Sequence, residues 1–294
     1  MMWLLVVNRK AGKQRAQRLV SEFSLLLDKH GEVHEIVDES TANETVNKVS
    51  ALIASGKFTK LIAFGGDGLV HLCVQLLVDT NIAFGVVAAG TGNDFARTLS
   101  VKKMSIVQLY ELYSQPSNHK IDLAKITSTD NVSYFVQVLS TGFDAKVNSF
   151  ANQIRWPKGK LKYTIAMLMV LNQFKPISYS ISIDNVRVQK EAMLLSIANG
   201  NCYGGGMMIQ PAAINNDGIL DVLMVTPVSK LKLLLLFPKI FSGTHVSHPK
   251  VSITRGMTIS LDAYTDCFAD GEYVSSLPIE VSICPQALQT WNAK

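Results

Sequence analysis

The segment Gly65-Gly66-Asp67-Gly68 follows directly on the apolar run 61–64, an arrangement suited to holding phosphate. Glycines let backbone N–H groups approach an anion without a side chain in the way, and a helix starting there turns its positive end toward it. A carboxylate in such a turn repels phosphate unless a cation stands between them, so Asp67 points to Mg²⁺. Gly90-Thr91-Gly92-Asn93-Asp94 repeats the pattern after the apolar run 82–88. Either turn alone reads equally as a capped strand-to-helix connection, but two of them at strand ends of one sheet point to a shared nucleotide site. The second is not a dinucleotide fingerprint, because Phe95 and Ala96 stand where a third glycine is needed, and the chain contains no GxxxxGK[ST] P-loop. Two further carboxylate-bearing turns lie later. Asp270-Gly271-Glu272 on its own reads as a hairpin turn. Asp217-Gly218-Ile219-Leu220-Asp221 is also turn-like, although a carboxylate beside backbone carbonyls can hold a divalent ion.

The elements that must position these turns fall into two regions. In the first, apolar strands are predicted at 3–7, 33–37, 61–64 and 82–88. An amphipathic helix over 14–30 stops at Gly31, and a Thr41/Glu44 capping box opens a helix running to about Ser55. Strand–helix alternation predicts a mostly parallel sheet covered on both faces, with ligands beyond the carboxyl ends of its strands. The turns at Asn8, Thr41, Gly65 and Gly90 are therefore the ones to inspect. After about Lys120 the texture changes to strands at 132–139, 177–183, 193–198, 220–225, 251–253, 257–261 and 279–283, separated by Gly, Asn, Asp and Pro. An antiparallel β domain results, with inserted helices near 161–174 and 229–241. The predicted division is 1–120 and 121–284, with residues 285–294 packing back on the first domain.

Composition narrows the class. With 48% hydrophobic and 17% charged residues in 294, the chain is not disordered and builds a sizeable core. A net charge of +5, from 28 basic and 23 acidic residues, is too small for a dedicated nucleic-acid binder. Cys73, Cys202, Cys267 and Cys284 are scattered, without zinc-site spacing or disulfide density. The apolar start is short and runs straight into Asn8, Arg9 and Lys10, and the stretches 165–171 and 233–237 fall below the ~20 residues of a membrane span. A reduced, cytoplasmic protein is expected. Between Ala145 and Ile183 stand six basic residues and no acid, with Trp156 among Arg155, Lys158, Lys160 and Lys162. Between Val222 and Leu261 stand five more, again with no acid. Beside apolar runs, such stretches suit docking on anionic headgroups, although solvated lysines on core-packing helices read the same way.

The motifs occur in an order that resembles the diacylglycerol/sphingosine/ceramide kinase superfamily, most closely its soluble bacterial lipid kinases. The matching segments are NRKAG (8–12), GGDG (65–68), GTGNDFAR (90–97), GGGM (204–207), PAAINNDGILD (211–221) and DGE (270–272). The resemblance implies ATP-dependent transfer of the γ-phosphoryl group to a lipid hydroxyl, on an α/β domain akin to NAD kinases and phosphofructokinases joined to a β-sandwich. It places ATP between the domains, against Asn8, Arg9, Lys10, Ala11 and Gly12, Thr41, the turn Gly65, Gly66, Asp67, Gly68, Leu69, Val70 and His71, and Thr91, Gly92 and Asn93. Asp67, Asp94 and Asp122 would form a carboxylate–water network around catalytic Mg²⁺. Asp270 and Glu272 would supply and orient the general base. Asp217, with the carbonyls of Ile214 and Ile219, matches a structural Mg²⁺ site of bacterial members. A homodimer through an exposed edge strand is compatible with the pattern.

The chain departs from the family pattern at Leu69 and Leu72, where the family has Thr and Glu, and at Arg9, where it has Pro. Arg9 adds either a cation near the phosphates or a solvated side chain. Beside the lipid kinase stand two other readings: a kinase of a soluble acceptor such as NAD, and a nucleotide- or lipid-binding regulator that has lost turnover.

Overall fold

Alternating apolar runs and amphipathic helices at the start of the chain assemble as the sequence predicts. A computed structural model describes residues 2–12, 14–153 and 160–293, apart from the side chains of 152 and 160–164. The chain divides into two units, Met1–Asp122 with Pro285–Lys294, and Leu123–Cys284.

In the first unit the elements run β1 (Met2–Val7), α1 (Arg15–Lys29), β2 (Val33–Val37), α2 (Ala42–Ala54), β3 (Phe58–Gly65), α3 (Asp67–Leu77), β4 (Ala83–Ala88), α4 (Asp94–Thr98) and α5 (Ile106–Ser114). The strands are parallel in the order β2-β1-β3-β4. Helix α1 buries Ala16, Leu19, Val20, Phe23 and Leu27, the i, i+3, i+4 spacing of one face, and Gly31 at φ 68 ends it. Thr41 caps α2 through a reciprocal box with Glu44, a device worth about 1 kcal/mol.

Strand β5 (His119–Thr127) leads out of this unit, and β16 (Ile279–Thr290) returns to it. The returning segment is tied down firmly. Thr290 pairs with Phe84 and its hydroxyl donates to the Phe84 carbonyl at 2.7 Å. Trp291 is fully buried, donates from Nε1 to Gln115 O at 3.0 Å and packs 5.0 Å from the Tyr113 ring.

The second unit continues with β6 (Val132–Phe135), β7 (Val138–Gly142), α6 (Phe143–Gln153), α7 (Lys160–Gln173), β8 (Ile177–Ile183), β9 (Val186–Ala192), β10 (Leu194–Ala198), β11 (Leu220–Val225), α8 (Lys230–Ile240), β12 (Val251–Gly256), β13 (Thr258–Asp262), β14 (Asp266–Ala269) and β15 (Glu272–Ser276). One sheet has the order β12-β11-β10-β7-β14-β15, antiparallel throughout. The start of β16 pairs with β13, β13 with β8, and β8 with β9 in a second antiparallel sheet. A core of Tyr179, Ile181, Ile197, Leu220, Val222, Ile259 and Val281 fills the space between the sheets, so the unit is a sandwich. The other face of the first sheet is covered by α6, α7 and α8 through Phe143, Ala166, Leu171, Phe174, Leu223 and Leu233.

Helix α6 and strand β9 are not predicted by the sequence pattern. Helix α6 starts immediately after the glycine that ends β7, and β9 is an exposed edge strand whose apolar alternation stops after Val188. No helix among the described residues is long and apolar enough to cross a membrane.

Candidate active site

The two glycine turns leave neighbouring parallel strands at their carboxyl ends, since Gly65 pairs with Ala88 in the register of β3 and β4. They then approach until backbone meets backbone. A Cβ on Gly90 would lie 2.5 Å from the Gly66 Cα, and one on Gly66 would lie 3.0 Å from the Gly90 Cα. Any side chain at either position would force the turns apart. The Gly65 carbonyl accepts from Ala89 N and Gly90 N at 2.8 and 3.1 Å, and Asn93 closes the second turn by accepting from Gly90 N and donating to Gly90 O.

Asp67 joins the two turns. Its carboxylate accepts the N–H groups of Asn93 and Asp94, both at 2.7 Å, and that of Phe95 at 3.4 Å. It therefore caps α4 from across the sheet, satisfying donors that a helix start leaves open. Asn93 at φ 55 is the left-handed residue that aims these amides. Burial pushes the Asp67 carboxyl above its ordinary range, and the charge of Asp94 adds to the rise. A buried carboxylate with a second one close by suits a cation.

The donor chemistry fits Mg²⁺, which is commonly held by one or two carboxylates together with substrate phosphates and water. Asp67 and Asp94 would hold it. Asp94 is buried, with Arg97 Nε 3.7 Å from its Oδ1. Asp122 is not joined to them in a ligand cluster: no group of three or more His, Cys, Asp or Glu side chains among the described residues is placed to hold a metal. Asp122 is fully buried, and its Oδ1 accepts Gln286 N at 2.7 Å, where the returning strand bends at φ 51.

The first motif forms a tight turn after β1. Asn8 Oδ1 accepts Lys10 N at 3.0 Å, and Asn8 O accepts Ala11 N at 2.9 Å. Gly12, at φ 61, lies against the Ala89 carbonyl, which a Cβ would meet at 2.4 Å. Arg9 is turned to the end of β2, with Nε 2.6 Å from Asp38 Oδ1 and a second hydrogen bond to the Asp38 carbonyl. Its side chain is committed to a carboxylate. Thr41 is the cap of α2, its oxygen accepting Glu44 N at 3.2 Å.

Leu69 and Val70 lie in the first turn of α3. Both side chains are buried, Leu69 against Gly65, and both N–H groups donate to Gly66 O. The first-turn amides of Asp67 and Gly68, which have no helical acceptor, are the ones suited to an anion. His71 is half-buried and Thr91 exposed. The Gly92 carbonyl accepts from Lys102 Nζ at 2.7 Å.

In the second unit Asp270 and Gly271, at φ 52 and 90, form the two-residue turn between β14 and β15, with Ala269 paired to Glu272. The Asp270 side chain folds back to accept the N–H groups of Val136, Gln137 and Val138 at 3.0, 3.0 and 3.2 Å. Asn199, buried, donates from its side chain to Val136 O at 3.0 Å, and the N–H groups of Asn199 and Gly200 go to Gln137 O. The link between β6 and β7 is thus held from both sides. Glu272 is exposed, and no hydrogen bond or ion pair of its carboxylate is present among the described residues.

Asp217, expected from the resemblance to hold a structural ion, lies beside an arginine. Asp217 Oδ2 is ion-paired with Arg255, whose Nε lies 3.3 Å from Asp221 Oδ1, and Asp217 Oδ1 accepts Ile219 N at 3.2 Å. Asp221 and Arg255 are cross-strand partners of β11 and β12, so register delivers the guanidinium to the loop. Asp217 is thus engaged by Arg255 on one oxygen and by the Ile219 amide on the other.

Two features are absent from the sequence reading. The Asn199 clasp has no motif of its own. Asp144 stands in the first turn of α6, two residues after the glycine that ends β7, as Asp67 stands two residues after the glycine that ends β3, and that repeated grammar is a usable signal. Its carboxylate is buried, which raises its pKa, and accepts Ser140 Oγ at 2.7 Å. It lines an apolar cavity of about 30 Å³ with Tyr203, Leu233, Leu236, Ile240 and His245.

An α/β unit with paired glycine turns and a β-sandwich unit define a phosphotransferase of the lipid-kinase class, as the matches to known families show. Residues 2–126 match the diacylglycerol kinase catalytic domain, and residues 137–292 the YegS C-terminal NAD kinase beta sandwich-like domain. The diacylglycerol kinase of Mycobacterium tuberculosis is 36% identical over 261 residues, covering 88% of this chain and 84% of that protein. The diacylglycerol kinase of Staphylococcus epidermidis is 25% identical over 296 residues, covering 99% and 92%. A crystal structure of a diacylglycerol kinase from Bacillus anthracis superposes with a TM-score of 0.72 at 19% identity, covering 99% and 97%, and so shares the fold. The chain belongs to the diacylglycerol kinase family.

Proposed function

We propose that the protein transfers the γ-phosphoryl group of ATP to the hydroxyl of diacylglycerol or a closely related lipid at a membrane surface, with Mg²⁺. The observation that carries the reading is the bridge from Asp67 to the amides of 93–95, which locks two glycine turns into one anion-facing surface. Phosphoryl transfer asks a protein chiefly to position groups and to neutralise charge, so rigid amides and a carboxylate pair meet its needs. The turns at Asn8–Gly12, Gly65–Gly68 and Gly90–Asn93 would hold the nucleotide by those backbone N–H groups not already spent inside the turns, as the amides of Lys10, Ala11, Gly90 and Asn93 are. Mg²⁺, when bound, neutralises the charge of the transferring phosphoryl oxygens. Asp67 and Asp94 would hold it, and Asp122 would fix the bend of β16 at Gln286.

An alcohol is a poor nucleophile at neutral pH and needs a base within hydrogen-bond reach. Glu272 is the better base of the pair, because the Asp270 carboxylate already accepts the amides of 136–138. Asp270 would then orient the turn that presents Glu272. Its leucines at 69 and 72 do not remove the enzyme from this reading, since Leu69 is spent on packing against Gly65.

The test is Mg²⁺-dependent transfer of labelled γ-phosphate from ATP to a panel of lipids in mixed micelles, with Glu272→Gln as control. Label in diacylglycerol or a relative, lost in the control, supports the reading. Bound ATP with no label in any lipid overturns it.

A further inference from the structure

Helix α8 is apolar on two opposite sides. At about 100° per residue, Leu233, Leu236 and Ile240 form the face buried in the second unit. Leu231, Leu235 and Pro238 fall on the ridge directly opposite, and Leu231 and Leu235 are 66% and 62% exposed. A helix packed on a globular core carries polar residues on that ridge. Here the charges sit on the flanks instead: Lys232 and Lys239 on one side, Lys230 on the other.

The surroundings continue the pattern. Lys230 Nζ donates to the Asn172 carbonyl, tying the start of α8 to the end of α7. Helix α7 exposes Leu168 and Met169, at 49% and 55%. No acidic residue occurs between Val222 and Leu261. The other basic stretch considered from sequence cannot be included, because Arg155, Trp156 and Lys158 and the side chains of Lys160 and Lys162 lie outside the described residues.

We propose that the outer ridge of α8, Leu231 and Leu235 with the lysines beside them, is the surface by which the protein docks on an anionic lipid bilayer. The inference rests on the reading of the chain as a kinase of a membrane lipid and names the face that meets the membrane. An apolar ridge enters the acyl boundary while flanking lysines reach the headgroup phosphates, which is how an interfacial helix binds. The same lysines argue against a second copy as the occupant: two such ridges brought together would set like charges side by side, whereas headgroups complement them. The inner side of the helix roofs the apolar cavity that holds Asp144, so the docked element is also a wall of that cavity.

The test is co-sedimentation of the full chain with phosphatidylcholine vesicles, with and without phosphatidylglycerol, at rising salt. The parent chain should bind the anionic vesicles in a salt-sensitive way. The double substitution Leu231→Glu with Leu235→Glu should weaken that binding at least tenfold, on the order expected for losing an interfacial anchor, with an unchanged thermal midpoint because both side chains are exposed. Lys232→Gln with Lys239→Gln should reduce binding to anionic vesicles and flatten its salt dependence. Phosphorylation of a short-chain diacylglycerol dispersed in detergent should persist in the leucine variant. Docking without lipid phosphorylation in any variant would overturn the kinase reading and leave the surface standing. Equal vesicle binding by the parent and the leucine variant, or no binding by the parent, overturns the docking proposal. So does a parent dimer that the leucine substitutions convert to monomer without changing vesicle binding.

Discussion

Asp67 and Asp270 lie in different units, yet each has its carboxylate caught by three consecutive backbone amides. The amides around Asp67 are the opening ones of helix α4, whose positive end faces the carboxylate. Those around Asp270 belong to an extended link between two strands. The neighbours differ as well. Asp67 has the buried Asp94 close enough to raise its pKa, while Asp270 has Glu272 two residues away on an exposed hairpin arm. The first arrangement sets two carboxylates close together at the glycine turns. The second uses one aspartate as a clamp and leaves the carboxylate of Glu272 exposed beside it. A motif aspartate can thus be the scaffold of the turn that presents its neighbour.

Removing the clamp in each unit should separate these roles. Asp67→Ala is expected to have the largest effect: kcat falls by about 10³ or more as charge positioning is lost, and the thermal midpoint falls because three amides lose their acceptor. Steady-state kinetics and a melting curve read both. An unchanged midpoint would break the account of Asp67 as a bridge.

Glu272→Gln should lower kcat by about 10²–10⁴, the range for a lost general base, with KM for ATP and the midpoint unchanged. Asp270→Asn should lower kcat and the midpoint together. The opposite partition, with Asp270→Asn leaving stability intact, would return the base to Asp270. The smallest effect concerns the second unit's loop. Removing divalent ions with EDTA should leave the melting of its Asp217 loop unchanged, whereas Arg255→Gln should lower the midpoint slightly, by up to about 1 kcal/mol in stability. A midpoint that falls on chelation in the parent chain would show that an ion, not Arg255, holds Asp217.

Much of this was legible where local chemistry decides structure. Thr41 and Glu44 form the capping box their spacing predicts, and the two glycine turns end strands as their apolar approaches require. The Asp270-Gly271 pair forms the hairpin turn its residue types favour, and the family motifs predicted the class of enzyme. What stayed hidden depends on partners distant in the chain. Nothing in Gly65–Gly68 announces that Asp67 will reach amides 26 to 28 residues away. Arg255 meets Asp217 only because β11 and β12 pair in one register. Helix α6 follows a strand directly, with Gly142 rather than Ser, Thr, Asp or Asn before it to mark a start, and the brief Val186/Val188 alternation of β9 gives way to Gln189-Lys190-Glu191.

The ten residues from Pro285 onward belong to the first unit although the whole second unit precedes them. A chain emerging from the ribosome folds its early segments first, but here the first unit must wait with a gap beside Tyr113 and Phe84 until Trp291 and Thr290 are made. Translation order therefore leaves the first unit to be completed last, after every residue of the second has been made.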